Sequence, residues 1–116
     1  MIPFLTPEYV KQDERGVIIQ IATGNWKMVK QIAIRKNASR GNHYHKLTGE
    51  LFIVWQGCVE VELVGVDKVK KTYFYRVGDI FQVDKLEGHT IKAINGDAVV
   101  LELATEPYDP NDTYPL

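Results

Sequence analysis

Apolar residues recur at every second position in short runs punctuated by Gly, Pro, Asn and Asp, the period of β-strands and not of helices. Residues 16–23 (GVIIQIAT) are apolar and β-branched and stop at Gly24-Asn25. From Trp26 to Ile34, Trp26, Met28, Ile32 and Ile34 share one face, while Lys27, Gln31 and Arg35 alternate onto the other. Lys30 falls on the apolar face. A polar loop, Arg35 to Asn42, leads into His43-Tyr44-His45. Leu51 to Gln56 is a continuous apolar run, which predicts a strand covered on both sides. Gly57 is predicted to turn the chain, after which Val59, Val61 and Leu63 alternate with Glu60 and Glu62. An alternating strand follows from Val69 to Val77, then a turn at Gly78-Asp79 and a short strand from Ile80 to Val83. His89 to Ile94 and Ala98 to Ala104 read as a last pair joined through Asn95-Gly96-Asp97, a strong hairpin signal. Neither a repeat nor an amphipathic helix stands out. So many short strands predict an all-β sandwich or barrel.

Length and charge narrow the class. At 116 residues the chain is one domain, 1–116, with an extended tail over 105–116 that carries three of its 5 prolines and is expected to lie across the surface without regular structure. A formal net charge of -1 offers no electrostatic case for nucleic acid or an anionic membrane. The first residues lack a basic region before an apolar core, and Leu51 to Trp55, the longest apolar stretch, falls far short of the roughly 20 residues of a spanning helix. The single cysteine, Cys58, has no intrachain partner and reads as a small filler on a strand face. A soluble, cytoplasmic protein is expected.

The chemistry lies in 3 histidines. His43 and His45 are two residues apart, so on a strand both rings point the same way. Glu50 follows after a Gly-containing bend. His89 opens a later strand whose same-parity neighbours, Ile91 and Ala93, are apolar. If the two strands face one cavity, His43, His45, Glu50 and His89 converge as imidazole and carboxylate donors for one divalent metal, with positions left for water or substrate.

At these residues the sequence resembles the cupin superfamily. The run HYHKLTGELFIVWQG matches the first cupin motif from its HxH onward, through His43, His45, Glu50 and Gly57. Gly78 and His89 match the second motif, whereas Asp84, Leu86 and Ala93 stand where that motif has proline, glycine and asparagine. Gly88 is expected to take over the turn. The resemblance, centred on residues 40–103, implies a small double-stranded β-helix, the cupin jelly-roll barrel, commonly dimeric. DERG, RGNHYH, HTIKAINGD and the ATEPYDPNDTY tail are further similar to sugar-nucleotide cupins. Foremost is the metal-containing C-terminal cupin of capsular-polysaccharide-assembly reductases; the 4-keto-sugar 3,5-epimerases and 3,4-ketoisomerases are more distant. That likeness implies enolisation of a nucleotide-linked 4-keto sugar, in polysaccharide or deoxysugar biosynthesis. Retention of Glu50 implies a metallated relative.

The expected reaction is epimerisation or isomerisation at a carbon beside a ketone. The expected cofactor is one Zn²⁺, with Fe, Mn or Ni as alternatives, acting as Lewis acid for the developing enolate oxygen. Lys30 and Tyr44 are the candidate proton-transfer residues, Tyr44 with a side chain expected to point away. Arg40 and Lys92 are candidate partners for a diphosphate. Tyr108 and Tyr114 are expected to anchor the tail. The same donors also suit a metal-dependent oxygenase or a non-catalytic metal- or sugar-binding module. Because Leu51, Ile53 and Trp55 lie opposite Phe52 and Val54, the outer face of this strand needs cover from a second layer, the N-terminal segment or a partner subunit, and of these a homodimer is expected.

Overall fold

The computed structural model describes residues 9–116. The strands are β1 (Tyr9–Asp13), β2 (Gly16–Gln20), β3 (Met28–Ile34), β4 (Ser39–Tyr44), β5 (Glu50–Val64), β6 (Lys70–Arg76), β7 (Ile80–Val83), β8 (Gly88–Ala104) and β9 (Tyr114–Pro115), with one 3-10 turn over Pro110–Asp112. All ladders are antiparallel. Among the described residues, β1 and β2 form a ribbon that pairs only with itself. The other strands build the expected double-stranded β-helix around β5 and β8, which pair with each other from end to end. The first half of β5 and the second half of β8 lie in one sheet with β3 and β7. Their other halves lie in the second sheet with β4, β6 and β9. No helix among the described residues is long and apolar enough to cross a membrane.

Two expected turns are absent. Gly57 does not end a strand, and Asn95-Gly96-Asp97 does not close a hairpin; each is a bend inside one long strand. The bends lie against each other. Gly57 has φ +78, and a Cβ on it would collide with the Asp97 carbonyl oxygen and crowd Ala98. Asn95 has φ 62 and Gly96 φ 150, so β8 kinks at the same level. β5 shifts register between Val54 and Gln56 and again between Gln56 and Cys58. The consequence is a change of parity, because an irregular residue exchanges the faces of all that follow. Glu50, Phe52 and Val54 face inward before the bend, and Val59, Val61 and Leu63 after it. In β8, His89, Ile91 and Ala93 give way to Ala98, Val100, Glu102 and Ala104.

The interior is apolar except at one end. Phe52, Phe81 and Tyr75 stack in series, with centroids 5.0 Å and 4.5 Å apart, among the Val and Ile side chains of both sheets. The outer face of the first half of β5 is covered by the chain itself: Ile21, Ala22 and Trp26 pack on Leu51, Ile53 and Ile80. That removes the argument by which this face called for a second subunit. Trp55 remains exposed. The tail is more regular than expected. It makes the 3-10 turn and then adds β9 to β4, with Tyr114 stacked on Tyr44 at 5.3 Å. Gly88 does not take over the second-motif turn either. Leu86, at the glycine position, itself adopts φ 72 and donates its N–H to the His45 carbonyl at 2.6 Å.

Gly57→Ala should destabilise the fold by at least about 1–3 kcal/mol, since a left-handed backbone and a collision with β8 add together. Urea denaturation checks this, and a midpoint equal to that of the parent would contradict the role given to the paired bends.

Candidate functional site

The polar end of the barrel is assembled by β3, β4, β5 and β8. β4 reaches it through a bulge: Gly41 pairs with Thr90, but His43 with His89, so one residue is taken up between them. Gly41 has φ +100, and a Cβ there would stand 2.6 Å from the His89 carbonyl oxygen and 3.2 Å from its ring. Glycine is therefore what lets β4 close onto His89. Past the bulge His43 faces inward. Its ring lies 4.7 Å from that of His45 and 4.8 Å from that of His89, with His45 and His89 6.2 Å apart. Glu50, the first residue of β5, is 3% exposed among them. Its Oε1 is 3.4 Å from His45 Nε2 and 3.8 Å from His89 Nδ1. Phe52 lies beneath, 5.6 Å from the His89 ring.

All four expected ligands are thus brought together. Glu50 Oε1 and His89 Nδ1 are buried with no hydrogen-bond partner among the described residues, a costly state unless something else satisfies them. Tetrahedral ligands about 2.1 Å from a zinc ion stand about 3.4 Å from one another, close to the spacing of Glu50 Oε1 and His45 Nε2. In donor chemistry the set fits a divalent metal. As placed, however, no three His, Cys, Asp or Glu side chains among the described residues form a group that could hold one.

Two cavities meet at this cluster. One of about 260 Å³ is lined by Lys30, His43, His45, Glu50, Glu102 and Tyr108. The other, of about 530 Å³, is bordered by Lys30, Arg40, His43, Phe52, His89 and Glu102. Lys30 faces the site, as its strand parity predicts, with Nζ 4.6 Å from the centre of the Tyr108 ring. Tyr108 thereby lines the site as well as belonging to the tail. Arg40 borders the larger cavity. Lys92 does not join it: it is exposed, pairs with Ser39 and Glu60, and lies on the outer parity between inward Ile91 and Ala93. Tyr44 also lies elsewhere, against Tyr114 on the far side of β4, because residues adjacent to inward histidines point outward.

Two functional positions were missed from sequence. Glu102, buried and shared by both cavities, sits on the parity of Ala98, Val100 and Ala104. A glutamate in that apolar series was the available signal. Asp112 is 5% exposed, and its carboxylate accepts from the N–H groups of Lys46 and Leu47 and the hydroxyl of Thr48. Its backbone carbonyl takes His45 Nδ1–H at 2.5 Å, which leaves Nε2 with the lone pair. Nothing local in the tail announces either contact.

Electrostatics follow from burial. Glu50 is pushed from an ordinary 4.5 up to about 9, first by burial and then by the charge and hydrogen bond of Glu102, against which Lys30 acts. His89 falls from 6.5 to about 3 through burial and the neighbouring His43 and His45. His43 is also lowered, by burial, His45 and Lys30. Burial pushes the Asp112 carboxyl up, but the donors of Lys46, Thr48 and Leu47 outweigh it and hold it below the usual range. Without a bound cation, Glu50 is therefore a neutral acid and His43 and His89 neutral bases at pH 7.

Linkage gives these shifts opposite signs. Between pH 3 and 6.5 the unfolded chain protonates His89 and the folded chain does not, so stability rises with pH. Between pH 4.5 and 9 the folded chain keeps the Glu50 proton that the unfolded chain releases, so stability falls with pH. In chelator, thermal melts should show stability lost towards pH 9, and Glu50→Gln should flatten that loss. An unchanged alkaline slope in Glu50→Gln would contradict the assignment.

Comparisons with known proteins agree with this architecture. The FdtA, WxcM-like C-terminal family matches residues 9–115. No curated protein matches the sequence. The QdtA 3,4-ketoisomerase of Thermoanaerobacterium thermosaccharolyticum, solved with TDP, is 25% identical over 97% of this chain and 83% of its own, with a TM-score of 0.79. The capsular polysaccharide assembling protein CapF of Staphylococcus aureus is 24% identical over 100% of this chain, with a TM-score of 0.73, and this chain spans only 35% of it. The epimerase RmlC of Legionella pneumophila, solved with dTDP-4-keto-L-rhamnose, shares the fold at 18% identity and a TM-score of 0.79 over 95% of this chain and 69% of its own. With nearly the whole sequence inside the family match and the barrel as that family's fold, this chain belongs to the FdtA, WxcM-like C-terminal family of cupins.

Proposed function

We propose that the chain is a sugar-nucleotide isomerase or epimerase that moves a proton at a carbon beside the ketone of a nucleotide-linked 4-keto sugar. The observation that carries this reading is the buried His43–His45–Glu50–His89 cluster, open to two adjoining cavities that share Lys30 and Glu102. QdtA is a ketoisomerase also solved with TDP-4-keto-6-deoxyglucose, which supports the substrate class.

His43, His45, Glu50 and His89 would hold a divalent metal, with Zn²⁺ the first expectation. Such an ion supplies Lewis-acid stabilisation to an enolate oxygen. The remaining roles fall to the chain. Lys30 Nζ, held over the Tyr108 ring, faces a sugar in the smaller cavity: as the neutral amine it would take the proton, and as the resulting ammonium return it. Glu102 faces the same space as its carboxylate counterpart. Arg40, at the border of the larger cavity, offers a planar donor fork to a diphosphate. The Phe52–Phe81 stack closes the floor to water. A second reading dispenses with the metal: His45, with Nδ1–H committed to Asp112 and Nε2 basic, acts as the base itself.

Solvent-deuterium exchange into nucleotide 4-keto sugars tests the reaction. Exchange is expected, with a loss of about 10²–10⁴-fold in Lys30→Met. Absence of exchange with every such substrate, at full metal occupancy, would overturn the reading. Elemental analysis of the purified chain separates the two versions. His45→Ala and His89→Ala should remain folded but lose bound metal steeply, whereas wild-type occupancy in both would dismiss these ligands.

We also infer a homodimer, on different grounds from the face of β5. Val10, Val17, Ile18 and Ile19 of the β1–β2 ribbon are all more than half exposed. An isolated two-stranded ribbon is marginal in water, and a symmetric second copy would cover it. Sedimentation should give twice 13.2 kDa, and Ile18→Lys with Ile19→Lys should shift it to the monomer. A parent that already sediments at the monomer mass would count against the inference.

A further inference from the structure

The tail turn bears on the site in a way that strand packing does not require. Asp112 gathers the donors of residues 46–48 on its carboxylate, at 2.9 Å to Lys46 N, 3.2 Å to Leu47 N and 2.9 Å to Thr48 Oγ1. These donors begin at the residue after His45. The backbone carbonyl of the same Asp112 receives His45 Nδ1–H. One residue thus grips both the loop that follows the histidine and the ring itself.

The turn that carries it is built for this placement. Asp109 caps the 3-10 turn by accepting from Asn111 N at 2.9 Å, and Pro110 sets its first position. Asp112 N donates to the Asp109 carbonyl at 3.0 Å and closes the turn. Other contacts also dock the tail. Tyr114 stacks on Tyr44, Lys46 Nζ lies 4.3 Å over the Tyr114 ring, and Leu116 N donates to the Asn42 carbonyl at 3.2 Å. A carboxylate needed only to hold the tail would duplicate those contacts.

We propose that Asp112 is a positioning residue for His45: its carboxylate seats the 46–48 loop, so that its carbonyl fixes the imidazole as the Nδ1–H form with Nε2 turned to the cavity. Which imidazole nitrogen carries the lone pair is set by the hydrogen bond that the other makes, and a buried carbonyl makes that choice without a charge. The inference rests on His45 belonging to the proposed site. It holds whether Nε2 meets a metal or acts as the base, and its test does not depend on turnover.

The experiment is long-range ¹H–¹⁵N correlation of the imidazoles in the full chain, in chelator, at a pH above the imidazole range. The parent is expected to show His45 as a single Nδ1–H tautomer. In Asp112→Ala the Nε2–H form should rise by about five- to tenfold, the worth of one buried hydrogen bond. Thr48→Val, which removes one donor from the carboxylate, should give part of that change, and Thr48→Ser should restore the parent spectrum. Tyr114→Ala, which loosens the tail elsewhere, should lower the melting temperature and leave the tautomer alone. A folded Asp112→Ala that keeps the single tautomer overturns the proposal, as does a Tyr114→Ala that loses it. Should Asp112→Ala fail to fold, an unchanged tautomer in Thr48→Val overturns it. Loss of 4-keto-sugar exchange in the parent would overturn the proposed function and leave this result intact.

Discussion

Everything at the polar end of the barrel depends on two long strands bending together. β5 and β8 pair over their whole length, and a barrel this small can close only if both change direction where they pass from one sheet to the other. Gly57 against Asp97 and Ala98 is the point of closest approach, and there the backbones meet without room for a side chain. The bend also reassigns the faces. It brings Glu102, from the second half of β8, onto the same inner surface as His89 from the first half, although their parities along one unbroken strand are opposite. A straight pair of strands would have turned one of them to solvent.

That arrangement concentrates the interior's polar groups at one end and leaves the rest apolar. Burial then dominates their chemistry. Glu50 and His89 are deep enough that each resists its charged form, and His43 is held neutral by the same forces on a smaller scale. Charge introduced there is poorly screened and meets the unpaired Glu50 Oε1 and His89 Nδ1. Lys30 acts against the upward shift of Glu50 and so links the acid at the centre to the amine at the wall. The aromatic stack beneath limits how far water enters.

Side-chain alternation within single strands was legible from sequence. It placed His43 with His45, left Tyr44 outside and turned Lys30 inward, because a period of two is a local property of extended chain. Arg40 borders the larger cavity whereas Lys92 does not; its pairing partners Ser39 and Glu60 mark the outer parity only once the register is known. The bends were harder. Gly57 and Asn95-Gly96 carry the same signals as hairpin turns, and the choice between turn and bend is made by the strand opposite. Leu86 shows the converse case: a position that the motif reserves for glycine keeps its left-handed backbone in spite of its side chain, held by the His45 carbonyl.

The contact that no pattern could foretell joins His45 to Asp112 across 67 residues of sequence. The tail's prolines read as an end to regular structure, since proline is disfavoured inside strands and helices. Yet the same restriction preorganises the turn at Pro110 and lets a short segment deliver a carbonyl and a carboxylate to fixed places at little entropic cost. Tail and site are therefore not separable parts of this fold. Lys30 rests on Tyr108, Lys46 on Tyr114 and His45 on Asp112, so three successive points of the tail meet β3 and the segment that follows β4. A segment that looks like surface trim from its composition lines the smaller cavity through Glu106, Pro107, Tyr108, Asp109 and Thr113, so one side of the candidate site is made by the tail.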